Sequence, residues 1–193
     1  DQAPSLAQRA GVTDVQTWSA DEVYRRFAAM GLHYGLGHRT LTAVERSEQD
    51  VMAELALSET LLSTLNDYVL HPGLADGALQ AAALLLANPA SSPVSPPLPF
   101  TIASVRILAP CREKMRVWAR YAPGTAQAHS PRIDIDLLAA DGTLCAQFSG
   151  VILRQVGKPA AEPLLAARQW RETPSVPGTG EAAPLTRHVL LYR

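Results

Sequence analysis

The pattern of hydrophobic and polar residues predicts one amphipathic helix early in the chain. Val23 and Phe27 stand four residues apart, at the spacing of one helical face, and the apolar repeat continues one turn further. Ser19 and Glu22 precede this face in the S-x-x-E order of a capping box, and a glycine follows it as a stop signal. The pattern therefore predicts a helix over residues 20–30.

Alternation at period two dominates much of the remaining chain and predicts strands. Two such stretches, 39–46 and 50–57, are separated by a Ser-Glu-Gln turn. The later stretches follow a proline-rich loop: they cover 100–108, 114–122 and a hairpin over 131–156 that turns at an Asp-Gly pair. About five strands, mostly antiparallel, are predicted in this way.

A second helix is predicted over residues 74–88, and it is apolar around its whole circumference. Such a helix must be buried on most of its sides. The stretch before it, 57–70, is ambiguous between helix and strand. A curved antiparallel sheet wrapped around one apolar helix satisfies both patterns, so we expect an α+β protein with a hot-dog fold.

Composition and charge narrow the functional classes. The 193 residues suggest one domain, and 47% hydrophobic residues are enough for a core. A net charge of −1 gives no indication of a nucleic-acid partner or of an acidic membrane surface. No apolar run approaches the roughly 18 residues of a membrane span. We therefore expect no nucleic acid and no membrane among the partners.

Cysteine usage and the ends of the chain bear on location and boundaries. Cys111 and Cys145 are the only cysteines and lack zinc-ligand spacing, so we expect reduced thiols, no metal and a cytoplasmic location. Residues 1–18 are predicted to be a linker, 19–156 the folded unit, and 157–193 a second linker with the start of a following element.

The strongest candidate for chemistry is Asp76, a carboxylate near the start of the apolar helix. Pro72 suits a first helical turn, which would put Asp76 just beyond that turn; with a later start, Asp76 would be the N-cap. Gln80 lies four residues on, where its amide can orient the carboxylate. A general acid or base and a simple helix cap both remain open, and His71 is expected to bond a neighbouring backbone group.

The segment before the predicted strands is the second candidate. Tyr34 and Gly35 could line a substrate channel, because glycine lets a ligand approach the backbone, although a turn with a packed tyrosine is the alternative. His33 and His38 are expected to be surface or satisfied positions. Asp134 and Asp136 alternate with isoleucines and are expected on the solvent face of a strand. A dinucleotide loop, a Walker loop and a G-x-S-x-G elbow are all absent.

Several motifs together resemble the second half of the dehydratase domain of modular polyketide synthases, with a style similar to the trans-acyltransferase branch. The resemblance covers about residues 20–156. The motifs, in order, are YRRFAAMGLHYG (24–35), YVLHPGLADGALQ (68–80), LPF (98–100), DGTL (141–144) and GVILR (150–154).

The resemblance implies one half of a double hot dog with its active site between the two halves. A histidine of the N-terminal half would remove the α-proton of a 3-hydroxyacyl thioester, Asp76 would protonate the departing hydroxyl, and Gln80 would orient Asp76. The implied substrate-binding residues are Tyr34, Gly35, His71 and Pro72. No cofactor would be bound directly, because the phosphopantetheine of an acyl carrier protein holds the substrate. The implied partners are the N-terminal half, that carrier protein and neighbouring ketosynthase or ketoreductase domains.

The chain departs from the family pattern at two places. The histidine motif H-x-x-x-G-x-x-x-x-P is missing, because the one sequence that begins like it has Thr42 where proline is needed. The Y-G-P-x-F motif reads YGLGH over 34–38. We expect a lyase half that is inactive alone. The alternatives are a non-dehydrating domain with a β-branching, ring-closing or scaffolding role, and a free-standing thioester-binding protein.

Overall fold

A computed structural model describes residues 14–86 and 96–155. The terminal segments and the proline-rich loop that the sequence predicts as linkers lie wholly or largely outside these ranges. The described helices are α1 (Ala20–Ala29), α2 (Glu59–Leu62) and α3 (Pro72–Leu86). The strands are β1 (Gln16–Ser19), β2 (Leu41–Arg46), β3 (Asp50–Ala56), β4 (Pro97–Thr101), β5 (Ser104–Ile107), β6 (Lys114–Tyr121), β7 (Ile133–Ala139) and β8 (Leu144–Gln155).

The eight strands form one antiparallel sheet in the order β1-β2-β3-β6-β7-β8-β4, and β5 also pairs with β8. Strand β8 serves two partners in succession. Its first part pairs with β5 up to Ser149, and its last part pairs with β4 from Ile152 onward. Gly150 lies between them with a φ of 62°, a left-handed conformation that glycine adopts without strain.

Helix α3 is the centre of the core. It contacts β2, β3, β4, β6 and β7, and its side chains are buried on most of its circumference. Leu74, Ala78, Ala81 and Ala82 are fully inaccessible. The predicted α+β hot-dog arrangement, a sheet around one apolar helix, is therefore confirmed. In the described part of the chain, no single helix is long and apolar enough to cross a bilayer, although the bent pair 59–67 and 72–86 would pass on length and composition.

Several sequence predictions agree with these elements, and others need correction. The first helix and the 39–57 hairpin occur as expected. The predicted strand over 100–108 is divided into two strands, and β1 begins inside the stretch predicted as a linker, so the expected number of strands was too low. The ambiguous stretch 57–70 contains a short helix followed by a 3-10 turn.

The prediction that Asp136 faces solvent is wrong. Its side chain is buried; Oδ1 accepts a hydrogen bond from Gln147 Nε2 at 2.9 Å, and Oδ2 lies 2.9 Å from Arg120 in an ion pair. Arg120 also lies 3.8 Å from the Trp118 ring. Asp134 remains partly exposed and accepts a hydrogen bond from the Gly150 backbone. The alternation of aspartate with isoleucine thus identifies the outer face of the sheet, but it does not predict whether the aspartate side chains are exposed to solvent.

Two glycines on one face of α3 allow the segment before β2 to pack directly on the helix. A Cβ at Gly73 would lie 2.8 Å from the Gly37 carbonyl oxygen, and one at Gly77 would clash with Thr40 Oγ1. Thr40 Oγ1 donates to the Gly73 carbonyl at 3.0 Å. The absence of two side chains on α3 therefore fixes the position of residues 37–40.

Strand β2 holds the other end of the helix as well. Arg46, its last residue, donates from Nε to Leu84 O at 3.0 Å and from a terminal nitrogen to Leu85 O at 3.3 Å. These are carbonyls of the last turn of α3 that the structure describes. A β-bulge lies between Leu41 and Ala43, so both Leu41 and Val44 point into the core although they are three residues apart.

The close packing at Gly77 gives a stability prediction. In Gly77→Ala the new methyl group meets Thr40 Oγ1 and Leu55, and the overpacking should lower the free energy of unfolding by about 1–3 kcal/mol, in spite of the better helix propensity of alanine. Urea denaturation measures the change. Gly35→Ala is the control, because a Cβ there has no neighbour within 4 Å, and it should be nearly neutral. A Gly77→Ala protein as stable as the wild type would contradict this account of the packing.

Candidate active site

Asp76 lies just beyond the first turn of α3, as expected if the helix begins at Pro72. Its Oδ2 accepts a hydrogen bond from Gln80 Nε2 at 2.8 Å, which is the predicted contact one turn along the helix. The side chain is 34% exposed, so the carboxylate is partly withdrawn from water but still reachable. Asp76 is not the N-cap, and the alternative of a simple helix cap does not fit this geometry.

The Gln80 amide is 2% exposed, and every polar atom of it has a partner. Nε2 donates to Asp76 Oδ2 and to the His38 carbonyl, both at 2.8 Å. Oε1 accepts from the Tyr24 hydroxyl at 3.2 Å, and that hydroxyl accepts from Leu41 N at 3.0 Å. The chain of donors fixes which end of the amide faces Asp76, so Gln80 presents an N–H group to the carboxylate.

His38 is a site residue that the sequence analysis missed. Its Nδ1 lies 3.1 Å from Asp76 Oδ2, so a ring with its proton on Nδ1 donates to that oxygen. His38 ends a 3-10 turn (Leu36–His38) that packs against the glycine face of α3. The available signal was its place as the last residue of YGLGH, where the family motif has an aromatic.

An aromatic cluster closes one side of the site. Tyr34 contacts Phe27 and Tyr24 edge to face, with ring centroids 5.2 and 5.9 Å apart. Burial raises the pKa of Tyr34 to about 12, and the negative charge of Asp76 acts in the same direction. Burial likewise raises the pKa of Tyr24 to about 12. Both phenols are therefore neutral hydrogen-bond donors at neutral pH.

His71 is used inside the fold, and the geometry does not support its predicted role in substrate binding. The ring is 5% exposed. Nδ1 accepts from Gly73 N at 3.1 Å, which leaves the proton on Nε2 to be donated to Thr64 Oγ1 at 3.1 Å. Burial lowers the pKa of His71, and the charge of His38 has the same effect. His71 caps the start of α3, which is the backbone role that its sequence also suggested.

The other predicted substrate-binding residues differ in their surroundings. Gly35 is exposed, precedes the 3-10 turn and accepts a hydrogen bond from His38 N at 3.0 Å. Pro72 is exposed at the start of α3. Their binding roles stay predictions. Among the described residues, no group of three or more His, Cys, Asp or Glu side chains is arranged to hold a metal ion.

Comparison with known proteins identifies the family to which this site belongs. Residues 2–163 match the family model described as "Polyketide synthase dehydratase N-terminal domain". The chain belongs to the polyketide synthase dehydratase family. The model's description names an N-terminal domain, whereas the sequence motifs resemble the second half, so the predicted half stays a prediction.

Curated relatives of this dehydratase chain are large synthases. It is 34% identical over 140 residues, or 72% of the chain, to the polyketide synthase PksN of Bacillus subtilis. It is 32% identical over 178 residues, or 88% of the chain, to the polyketide synthase ThaG of Burkholderia thailandensis. The matched regions span only 2% and 3% of those two proteins.

Solved dehydratase domains have the same fold. A trans-AT dehydratase domain from Brevibacillus brevis superposes with a TM-score of 0.68 at 30% identity, covering 81% of this chain and 55% of that one. The dehydratase domain of RzxB from Pseudomonas fluorescens gives 0.63 at 31% identity, covering 72% and 50%. The chain thus spans about half of the solved dehydratase domains that it matches.

The fixed Gln80 amide leads to a pH-dependent prediction. Gln80→Glu replaces the donor by a second carboxylate beside Asp76, and the repulsion raises the folded-state pKa of the pair. A raised pKa in the folded state removes stability as pH rises above the unfolded value of about 4.3. The free energy of unfolding of Gln80→Glu, measured by urea denaturation, should therefore lie only slightly below that of the wild type near pH 4 and far below it at pH 7.

Gln80→Met is the matched control, because it removes the same hydrogen bonds without adding charge. It leaves the buried Tyr24 hydroxyl and His38 carbonyl short of one partner and should cost about 1–3 kcal/mol. That cost should vary little between pH 4 and 7. Equal pH dependence in the two variants would argue against a carboxylate contact at position 80.

Proposed function

We propose that this chain is the aspartate-bearing half of a dehydratase domain that converts a 3-hydroxyacyl thioester into an α,β-enoyl thioester. The observation that carries the proposal is the Asp76 carboxylate itself: it stands near the start of a buried helix, one-third exposed, and is fixed by the Gln80 amide. A carboxyl group with one oxygen fixed and limited access to water can act as a general acid.

The reaction needs a proton donor and a proton acceptor. The Asp76 carboxyl gives its proton to the leaving hydroxyl as the C–O bond breaks, and water departs. A histidine of the other half takes the α-proton, and the electron pair of that C–H bond forms the double bond. Asp76 then regains a proton before the next turnover. The relatives in large polyketide synthases support this assignment, and they suggest a substrate carried on the phosphopantetheine of an acyl carrier protein.

The choice of half has two supports. The D-x-x-x-Q sequence lies on α3, whereas a histidine followed at the motif spacing by glycine and proline is absent from the sequence. The chain also spans about half of the solved domains. We therefore assign it to the C-terminal half, and the catalytic histidine to a separate N-terminal half.

An apolar strip at the β4–β5 edge of the sheet is the surface that we assign to contact with the N-terminal half. Phe100, Val105, Ile107 and Leu108 are between 47% and 56% exposed. Exposed apolar side chains grouped in this way mark interaction surfaces.

Cys111 and Cys145 are free and buried, which agrees with the reducing cytoplasm that we propose as the location.

A second candidate function is supported by one observation. The YGLGH sequence lacks the family's proline and places His38, rather than an aromatic, against Asp76. A changed environment of the acid is what a non-dehydrating domain with a β-branching, ring-closing or scaffolding role would need. The retained Asp76–Gln80 pair favours dehydration, so we rank this candidate second.

The proposal predicts that Asp76→Asn abolishes dehydration. In the intact module with both halves, the variant should release water from a synthetic 3-hydroxyacyl carrier protein about 10²–10⁴-fold more slowly, because asparagine has no transferable proton. Mass spectrometry of the carrier-bound acyl group measures the loss of water. Asp67→Asn is the control, since Asp67 is exposed and lies outside the site, and its rate should match the wild type.

Urea denaturation of Asp76→Asn provides the folding check, and it should show near-wild-type stability. Unchanged dehydration in a folded Asp76→Asn protein would reject Asp76 as the acid. A wild-type module that never releases water, although it loads the substrate, would favour the second candidate function.

A further inference from the structure

We propose that His38 is a positioning residue for the general acid: together with Gln80 it occupies one oxygen of Asp76 and directs the transferable proton to the other. The inference rests on the proposed dehydration and deepens it, because it concerns the same carboxyl group. It assigns a function to a histidine that the family motif does not contain.

Two hydrogen-bond contacts to the same oxygen of Asp76 support the inference. His38 Nδ1 at 3.1 Å and Gln80 Nε2 at 2.8 Å both meet Asp76 Oδ2. Two N–H donors on one oxygen hold electron density there and make protonation of that oxygen unfavourable. The acidic proton therefore resides on Oδ1, and we assign Oδ1 as the atom that faces the leaving hydroxyl.

The fold delivers His38 to this place by four independent contacts. The backbone of the 3-10 turn approaches α3 because Gly73 has no side chain. Thr40 donates to the Gly73 carbonyl, and Gln80 donates to the His38 carbonyl. The Tyr24 hydroxyl lies 3.4 Å from the same His38 oxygen. A surface histidine that met Asp76 by chance would not need its backbone held on both sides.

Charged and polar groups from helices α1 and α3 and from the neighbouring backbone surround the His38 imidazole. Asp76 faces it from α3, and Tyr24 lies beneath its carbonyl from α1. His71, at the start of α3, interacts with it through charge. The neighbouring Arg39 lies 4.6 Å from the Tyr24 ring, and its guanidinium is 3.8 Å from Asp21.

The imidazole acts on Asp76 as a hydrogen-bond donor. With its proton on Nδ1, the ring donates to Oδ2 at 3.1 Å and orients the carboxyl group. The His38 side chain is 56% exposed, so a substitution at this position removes the contact without opening the core.

Two substitutions test the N–H donor of His38. His38→Phe restores the aromatic of the family motif and removes the donor. His38→Asn keeps an N–H donor near the position of Nδ1. In the intact module, His38→Phe should lower kcat about 10- to 100-fold at pH 7.5 with KM within about twofold, because a misdirected acid slows chemistry rather than binding.

His38→Asn should recover most of that rate, because it restores an N–H donor to Asp76. His33→Asn is the matched control: His33 is an exposed histidine in the same segment, and its variant should keep the wild-type kcat and KM. A merely structural role for His38 would lower the stability measured by urea denaturation without a loss of kcat at unchanged KM that the asparagine recovers.

The inference is overturned if a folded His38→Phe protein keeps the wild-type kcat, or if His38→Asn is as slow as His38→Phe. If His38→Phe does not fold, His38→Ala, which also lacks the N–H donor, takes its place. Asp76→Asn is assayed in parallel. Dehydration that survives Asp76→Asn defeats the proposed function, whereas dehydration that needs Asp76 and ignores both His38 variants defeats this inference alone.

Discussion

The buried amide of Gln80 is the interaction on which the candidate site depends. A primary amide has two donors and one acceptor group, and here the donors meet a carboxylate and a backbone carbonyl while the acceptor meets a phenol. Because a buried polar group without a partner costs free energy, all three neighbours are constrained together. Helix α3, helix α1 and the turn before β2 are thus joined at one point, with Asp76 beside it.

Small residues on α3 make that junction possible. The turn carrying His38 lies against the helix backbone at Gly73, and Thr40 packs at Gly77. Glycine within a helix costs about 1 kcal/mol relative to alanine, and the close approach of a second backbone offsets that cost. The helix therefore combines an alanine- and leucine-rich surface toward the sheet with a glycine surface toward the site.

Period and composition were sufficient to predict the apolar helix, the wrapping sheet and the Asp76–Gln80 pair. The helix and the pair follow from spacing along one element, and the sheet follows because an apolar helix has to be covered. Period and composition failed where two particular side chains from different elements meet. Asp136 was expected in solvent, but Arg120 and Gln147 from neighbouring strands pair with it. His38 was expected at a surface or satisfied position, and it is exposed, but its contact with Asp76 was not expected and exists only because the turn packs on α3. A single sequence does not contain that packing as a local signal.

Strand β2 holds α3 at both ends, with Thr40 just before it bonded to Gly73 and Arg46 at its end bonded to Leu84 and Leu85. These contacts prevent α3 from shifting along its own axis. The length of the segment 40–46 therefore sets the distance between the two points at which the helix is held. Insertions and deletions in this span would shift the turn that carries His38 relative to the helix. The Asp-Gly turn between β7 and β8 is not part of this attachment of α3. Changes in loop length should therefore accumulate at that turn instead as dehydratase sequences diverge.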